Sequence, residues 1–369
     1  METKLVKLGD IISLNYGKSL TKKNRIPGNV PVYGSSGITD YHDKPLVDAP
    51  SLIIGRKGSI GSVFLSEVPF YPIDTTYFAK ESDLSGLDLH FAYYFLKFLP
   101  LSEMNTDSAI PGLNRNNFYS LDVVIPDIKS QKIIAFLLDQ ISYKIKINQQ
   151  INKNLLKLAV LEFNKWLDFN QSTQYTSLDK IASFKNGIAM QKFPPTDNVH
   201  MLPVLKIREL NQGYIDSSSG LVTSAIDDDV KVYNGDLIFS WSGTLSVKIW
   251  TDGDAALNQH LFKVTSDRWP KWFYYMWILH HLQKFRGIAA DKKTTMGHIK
   301  RKDLTNAGVL IPNVKEFKDL DITLNPIIEQ IINVGIESKN LANIRNIMLP
   351  KLLSGSIDLS GIEEVIKDA

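Results

Sequence analysis

Leu8-Gly9-Asp10-Ile11-Ile12-Ser13-Leu14-Asn15-Tyr16-Gly17 returns further along the chain as Leu178-Asp179-Lys180-Ile181-Ala182-Ser183-Phe184-Lys185-Asn186-Gly187. A chain that restarts in this way is built from two copies of one unit, and the copies keep their order. Leu52-Ile53-Ile54 before Gly58 answers Leu237-Ile238-Phe239 before Gly243, and Phe91-Ala92-Tyr93-Tyr94 answers Trp272-Phe273-Tyr274-Tyr275. Each copy closes on Gly112 or Gly297, followed by Arg115 or Arg301 and then by Val124-Ile125-Pro126 or Leu310-Ile311-Pro312. Inside each copy, short β-rich runs alternate with Gly, Pro, Asn and Asp, as in Val30-Pro31-Val32-Tyr33-Gly34, which predicts a mainly β domain. The aromatic stretches 91–99 and 272–286 are the helices expected within the copies, with their rings in the core.

Behind each closing proline the period changes from strand to helix. Residues 130–167 contain neither Gly nor Pro and carry a stripe at 3-4 spacing: Ile134, Leu138, Ile141, Ile145, Asn148, Ile151, Leu155, Leu158. A second stripe, Leu324, Ile327, Ile331, Val334, Ser338, Leu341, Ile344, Met348, begins around Pro326 and fades at Pro350 and Ser354-Gly355. At 1.5 Å per residue each helix is on the order of 55 Å long, so pairing as a coiled coil is the economical way to bury both stripes. One helix leaves the first domain and the other leaves the second and must return, so the pair is antiparallel. The expected fold is therefore α+β: two mainly β domains (1–127 and 175–313) separated by two long antiparallel coiled-coil helices (128–174, and 314–369 with the C-terminal tail), related by an internal pseudo-twofold repeat.

The chain has 369 residues, with 42 Lys+Arg against 39 Asp+Glu, a formal net charge of +3, as in ordinary globular proteins. It has no cysteine, which excludes disulfides, thiolate metal sites and a cysteine nucleophile, and fits a reducing compartment. Met1-Glu2-Thr3-Lys4 opens no apolar core of signal-peptide length, and no stretch approaches the ~20 apolar residues of a membrane span. The expected location is the cytoplasm, without membrane contact.

Motifs for catalysis fail one by one. Gly55-Arg56-Lys57-Gly58-Ser59-Ile60-Gly61 is not G-x-x-x-x-G-K-[ST], and its counterpart keeps only Gly243. His42, His90, His200, His260, His280, His281 and His298 form no H-E-x-x-H, and no G-x-S-x-G elbow occurs. No catalytic or metal-ligating residue is expected. What remains is a pair of loop-bearing modules held at a fixed distance, the design of a binder of two neighbouring sites. The second module, 175–312, counts 17 Lys+Arg against 13 Asp+Glu (17 − 13 = +4), and the first, 5–126, counts 11 against 12 (11 − 12 = −1). Basic clusters suit phosphate, while Arg and Lys also address guanine edges. Charge alone leaves a nucleic acid and a protein partner equally open; if the partner is DNA, the candidate contacts are Lys18, Lys22, Lys23, Arg25, Tyr33, Arg56, Lys57, Ser59 and Arg115 in the first module. In the second they are Lys192, Lys206, Arg208, Trp241, Lys248, Lys292, Lys293, Lys300 and Arg301. Arg115 and Arg301 occupy equivalent places in the repeat, where a structural role competes with a phosphate contact.

The run Asn346-Ile347-Met348-Leu349-Pro350-Lys351-Leu352-Leu353-Ser354-Gly355-Ser356-Ile357-Asp358 resembles the helix ending of the specificity subunits of type I restriction-modification enzymes, Leu-Leu-Pro-Lys-Leu-Leu-Ser-Gly-acidic-Ile, with Ser356 in the acidic place. Leu8-Gly9-Asp10-Ile11 with Gly17, and Gly112-Leu113-Asn114 running to Val124-Ile125-Pro126, support the resemblance over nearly the whole chain. It implies that each β module is a target recognition domain reading one half of a bipartite, asymmetric double-stranded DNA target. It also implies that the helices act as a ruler for the unread spacer and dock two modification (methyltransferase) subunits. S-adenosylmethionine, ATP and Mg would then belong to partner subunits, including restriction/translocase subunits, and this chain would carry no cofactor and no catalysis. The alternative is a coiled-coil scaffold with two β-rich protein-binding modules.

Overall fold

The computed structural model describes residues 1–104, 112–169, 173–216, 218–291, 297–359 and 362. It divides into two compact units, one of Met1–Tyr143 with Ala342–Ala369, the other of Lys144–Leu341. In the first, the strands Asn15–Tyr16, Thr76–Lys80, Ser51–Gly55 and Val63–Ser66 lie side by side in that order, all antiparallel. Ser51–Gly55 is buried at every position, as expected of a central strand with apolar neighbours on both faces. Its alternation divides the unit: Leu52 and Ile54 enter the main core with Phe91, Phe95 and Phe118, whereas Ile53 joins Tyr33, Val47 and Phe70 in a smaller one. A second sheet takes Gly37–His42, Val30–Gly34 and Tyr71–Pro72, the last two parallel. Helix Leu89–Phe98 covers the main core after Asp88 caps it by accepting from the Phe91 amide at 2.9 Å.

The second unit repeats the plan, with sheet order Ser183–Asn186, Leu261–Thr265, Leu237–Ser240, Val247–Ile249. Gly17 and Gly187 hold the same crossing in both units: a Cβ at either would stand 2.1 Å from a carbonyl oxygen, of Ile73 and of Leu257 respectively. The inner sheet differs, because helix Ile207–Gln212 intervenes between Met201–Leu205 and Leu221–Thr223 where the first unit has only a tight hairpin. Helix Lys271–Ala290 buries Trp272, Phe273, Tyr274, Tyr275 and Trp277, so the aromatics are core, as the sequence indicates.

The long helices run Ile128–Phe169 and Val314–Leu353. Within the second unit, Asn148 Nδ2 donates to Glu337 Oε2 at 2.8 Å and Asn152 Nδ2 to the Ile331 carbonyl at 3.1 Å, so partners fall in number as residues rise: the segments are antiparallel. In the first unit Ile134 and Leu138 are fully buried in the core that also holds Leu352. The seam departs from the expected stripe beyond Asn148. Ile151, Leu158 and Ile344 are exposed, and the buried positions are Ala159, Phe163 and Trp166 on one helix and Leu320, Leu324, Ile328 and Ile332 on the other. Val334 is buried too, while Ile141, Ile145, Leu155, Ile327, Ile331, Leu341 and Met348 are half-buried. The physical reason is that Asn148 and Asn152 occupy the inner face with hydrogen-bond partners, which shifts the apolar phase by one residue.

The second helix also starts twelve residues before Pro326. Asn313 caps it, accepting from the Lys315 and Glu316 amides at 3.0 Å each, while Glu316 Oε2 accepts from the Asn313 amide at 2.9 Å. This reciprocal cap nucleates the helix at Val314. Packing of Leu320, Leu324 and Ile328 then carries it through Pro326 at the loss of one backbone hydrogen bond. Among the described residues no helix is long and apolar enough to cross a membrane.

A polar cluster ties helix Leu89–Phe98 to the first long helix: Asp139 accepts from Tyr94 Oη at 2.8 Å and pairs with His90 Nδ1 at 2.8 Å. The Asp139 carboxylate holds the His90 imidazole above its ordinary pKa, against partial burial. A raised folded-state pKa gives stability that is present below about pH 6.5 and lost as pH rises through the folded value. His90→Gln is therefore expected to destabilise the first unit at pH 5.5 and to be nearly neutral at pH 8.5, checked by amide hydrogen exchange of residues 89–98 at both values.

Candidate nucleic-acid interface

The outer end of the first unit's sheet gathers two arginines around one tyrosine. Tyr16 pairs with Tyr77 across the shortest strand, their rings 5.1 Å apart. Arg56 follows the central strand, and Arg115 begins a short helix whose cap, Asn114 Oδ1, accepts from the Asn116 amide at 2.8 Å. Both guanidinium carbons stand 5.0 Å from the Tyr16 ring centroid; Arg56 is also 5.9 Å from Tyr77 and Arg115 5.9 Å from Tyr119. Arg56 donates to the Asp74 carbonyl at 2.8 Å, and among the described residues neither arginine pairs with a carboxylate. Burial first, and then the neighbouring Tyr16, pushes the Tyr77 phenol up to about 12, so the Tyr77 ring stays neutral beside the Arg56 cation. Together with Lys57 and Asn114 they line an open hollow of about 300 Å³ with three positive charges, none paired with a carboxylate among the described residues.

The second unit builds the same corner from other residues. Leu113 donates its amide to the Arg56 carbonyl at 2.8 Å, and Ile299 donates to the Trp241 carbonyl at 3.0 Å. Bridges Lys57–Gly112 and Ser242–His298 are likewise equivalent, so the structure aligns Gly112 with His298 rather than with Gly297. In this register Asn186 replaces Tyr16, Phe262 replaces Tyr77, Trp241 replaces Arg56, and Arg301 matches Arg115. Trp241 packs 5.7 Å from Phe262 and 6.2 Å from His260, while Ser242 Oγ lies 3.1 Å from His260 Nδ1. The Arg301 guanidinium stands 6.0 Å from the Phe262 centroid and donates to the Phe184 carbonyl at 3.3 Å. It borders a wider hollow of about 460 Å³ with Lys180 and Arg268.

The structure sorts the remaining candidates. Lys18, Lys22, Lys23, Lys57 and Ser59 are exposed on the first unit, as are Lys192, Lys206 and Lys300 on the second. Tyr33 is not a surface residue: it is 8% exposed and packs edge-on against Phe70 at 5.6 Å, because it lies on the inward face of a central strand. Arg25 is committed internally, its side chain 9% exposed, donating to Asp40 at 3.0 Å and to the Leu20 carbonyl at 3.3 Å. Arg208 is engaged by Glu209, Asp216 and Ser219, with its shortest contact 2.6 Å to Glu209 Oε1. Lys248 donates to the Asn211 carbonyl at 2.5 Å, and burial pushes its ammonium below the ordinary lysine range. Trp241 is half-buried, and its indole N–H is enclosed with no hydrogen-bond partner among the described residues. Lys292 and Lys293 lie outside the described residues. Sequence reasoning missed Tyr16, Tyr77 and Asn114; the available signal was that Tyr16 and Asn186 differ immediately before the shared Gly17 and Gly187.

The sequence of residues 1–157 matches the family described as type I restriction modification DNA specificity domain. The MjaIX specificity subunit of Methanocaldococcus jannaschii is 25% identical over 338 residues, covering 83% of this chain and 77% of that protein. The EcoprrI specificity subunit of Escherichia coli is 29% identical over 146 residues, 38% of this chain and 36% of its own length. The crystal structure of the type I restriction-modification S subunit from M. genitalium superposes with a TM-score of 0.53 at 16% identity, covering 95% of this chain and 96% of that one, which establishes a shared fold.

Proposed function

We infer that this chain, a type I restriction-modification specificity subunit, recognises a bipartite DNA sequence with one half-site read by each of its β-rich domains. The observation that carries this reading is the duplicated sheet corner: the same strand order and closure in both units, bearing in each an arginine that forms no ion pair among the described residues, and otherwise different side chains. Different corners on a common frame suit unlike half-sites. The long helices set the unread spacer and dock two modification subunits. Exposed apolar side chains such as Tyr143, Ile147, Ile151 and Leu161 on the first helix suit such a partner. In this scheme S-adenosylmethionine, ATP and Mg are bound by the modification and restriction/translocase subunits, catalysis is theirs, and the assembly works on double-stranded DNA in the cytoplasm.

The test is to co-express the chain with the modification subunit of its own operon and map methylated adenines by single-molecule sequencing. A second chain carries residues 175–312 exchanged for the equivalent domain of another specificity subunit, leaving the helices in place. The expected result is a bipartite motif in which the exchange alters one half only. An assembled complex that methylates no defined motif would overturn the reading in favour of a protein-binding scaffold.

A further inference from the structure

We propose that Arg115 and Arg301 are sequence-neutral phosphate anchors, one in each recognition domain, gripping the DNA backbone beside the position that discriminates bases, Arg56 in one domain and Trp241 in the other. The proposal rests on the DNA-reading function above and assigns which part of each domain contacts which part of the duplex.

The argument starts from what a duplicated reader must keep. Two half-sites differ in bases, but their sugar-phosphate backbone is the same, so a group that serves the backbone is retained between the copies and a group that serves bases is free to change. At this corner almost everything has changed: Tyr16 to Asn186, Arg56 to Trp241, Lys57 to Ser242, Tyr77 to Phe262. The arginine that follows the closing strand bridge has not. A retained arginine also arises where the fold needs its hydrogen bonds, but Arg115 spends its guanidinium on the ring faces of Tyr16 and Tyr119 and on no acceptor among the described residues. The guanidinium is held 5.0 and 5.9 Å from two ring centroids and has no acceptor among the described residues, so its N–H donors are available for a bidentate oxyanion. Arg301 also stands beside an aromatic ring, 6.0 Å from the centroid of Phe262, the counterpart of Tyr77 and not of Tyr16, and gives one donor to the Phe184 carbonyl.

Position 56 and its counterpart behave as the opposite case. Arg56 and Arg115 approach the same Tyr16 ring at the same 5.0 Å, yet the counterpart of Arg56 is the indole of Trp241. A guanidinium fork addresses guanine O6 and N7, whereas the Trp241 indole, its N–H enclosed, offers only an apolar face to a thymine methyl, so exchange between them changes base preference while the anchor alongside stays constant.

The experiment uses the assembled complex with the modification subunit and a duplex carrying its mapped motif. Arg115→Ala and Arg301→Ala are each expected to flatten the dependence of log affinity on log salt by about 0.9. Each variant then loses about 3.5-fold less affinity than wild type between about 0.05 and 0.2 M salt, with the methylated motif unchanged. Arg115→Lys restores the slope. Arg56→Ala relaxes the motif at one position of the first half-site. An unchanged slope in both alanine variants, or a motif altered by Arg115→Ala, overturns the assignment. A lowered unfolding temperature with an unchanged slope identifies Arg115 as structural. A wild-type complex without sequence-selective DNA binding sinks the functional reading itself, which separates the two failures.

Discussion

Trp272→Ala lowers the stability of the second unit by about 4 kcal/mol, within the range for emptying a large aromatic site in a packed core. Trp272 is fully buried. It meets Phe273 at 5.4 Å and Phe317 at 5.7 Å, and its indole Nε1 donates to Asp321 Oδ1 at 2.7 Å. Phe317 and Asp321 belong to the second long helix, so this one side chain joins the domain helix Lys271–Ala290 to it by ring contact and by a charge-assisted hydrogen bond. For a unit of this size the change corresponds to a midpoint lower by roughly 8–16 °C. Trp272→Phe keeps most of the ring contact and is expected to lose only the hydrogen bond, about 1–2 kcal/mol. All six tryptophans of the chain, at 166, 241, 250, 269, 272 and 277, lie within Lys144–Leu341, so indole emission follows this unit alone and five reporters survive the substitution. An unchanged emission midpoint for Trp272→Ala would show that the indole does not hold the helix to the domain.

Arg208→Ala destabilises the same unit at neutral pH by leaving the enclosed Glu209 carboxylate without its cation, instead of merely weakening a DNA contact. The Glu209 carboxylate is almost fully enclosed, its side chain 2% exposed, and it accepts from Arg208, from Ser219 Oγ at 3.1 Å and from the Lys206 amide at 3.2 Å. Burial pushes the Glu209 carboxyl up, but its backbone hydrogen bond, the Arg208 guanidinium and the Ser219 hydroxyl outweigh this and leave it below the usual range. Asp216 is lowered further, first by the Ser218 hydroxyl, then by Arg208 and Gln212. Depressed folded-state values give stability that is full above the unfolded carboxylate pKa, near 4–4.5, and is lost as pH falls through the folded values. Without Arg208 the Glu209 carboxyl rises, so the difference between variant and wild type is largest at pH 7 and closes in acid. Indole emission during urea unfolding at pH 7 and pH 3.5 checks both ends. Glu209→Gln in the Arg208→Ala background is expected to recover part of the loss by removing the enclosed charge. An Arg208→Ala protein as stable as wild type at pH 7 would return Arg208 to the set of free DNA contacts.

The repeat, the β-rich modules and the long helices are legible in the sequence because each depends on local periodicity and on a few conformationally demanding residues. Gly17 and Gly187 are an example, since nothing larger fits where the backbone crosses. The departures share one cause: polar side chains whose hydrogen-bond partners, most of them from distant parts of the chain, an apolar pattern does not reveal. Asn148 lies inside as the stripe expects, but Asn152 turns inward as well to reach the other helix, which displaces Ile151 and Leu158 outward, and Asn313 with Glu316 starts the second helix twelve residues before Pro326. Among the site candidates the same limit applies. Arg25 and Arg208 read as free cations until Asp40, Glu209 and Asp216 meet them, since Glu209 is the only one of these acids adjacent in sequence to its partner. The corner at Tyr16 is assembled from four separate stretches of chain, and no spacing rule brings 16, 56, 77 and 115 together before the sheet order is known.

The first unit is discontinuous, Met1–Tyr143 completed by a segment from Ala342 onward that places Leu352 in its core, whereas the second is one uninterrupted stretch. During translation this difference becomes a sequence in time. The second unit emerges whole and can close on itself while the first still waits for the roughly 200 residues that follow Tyr143, a delay of about 10–40 s at ordinary elongation rates. Throughout that interval Ile134, Leu138 and Phe91 lack the neighbour that Leu352 provides, so the ribosome releases a chain whose earliest-made part is the last to finish folding.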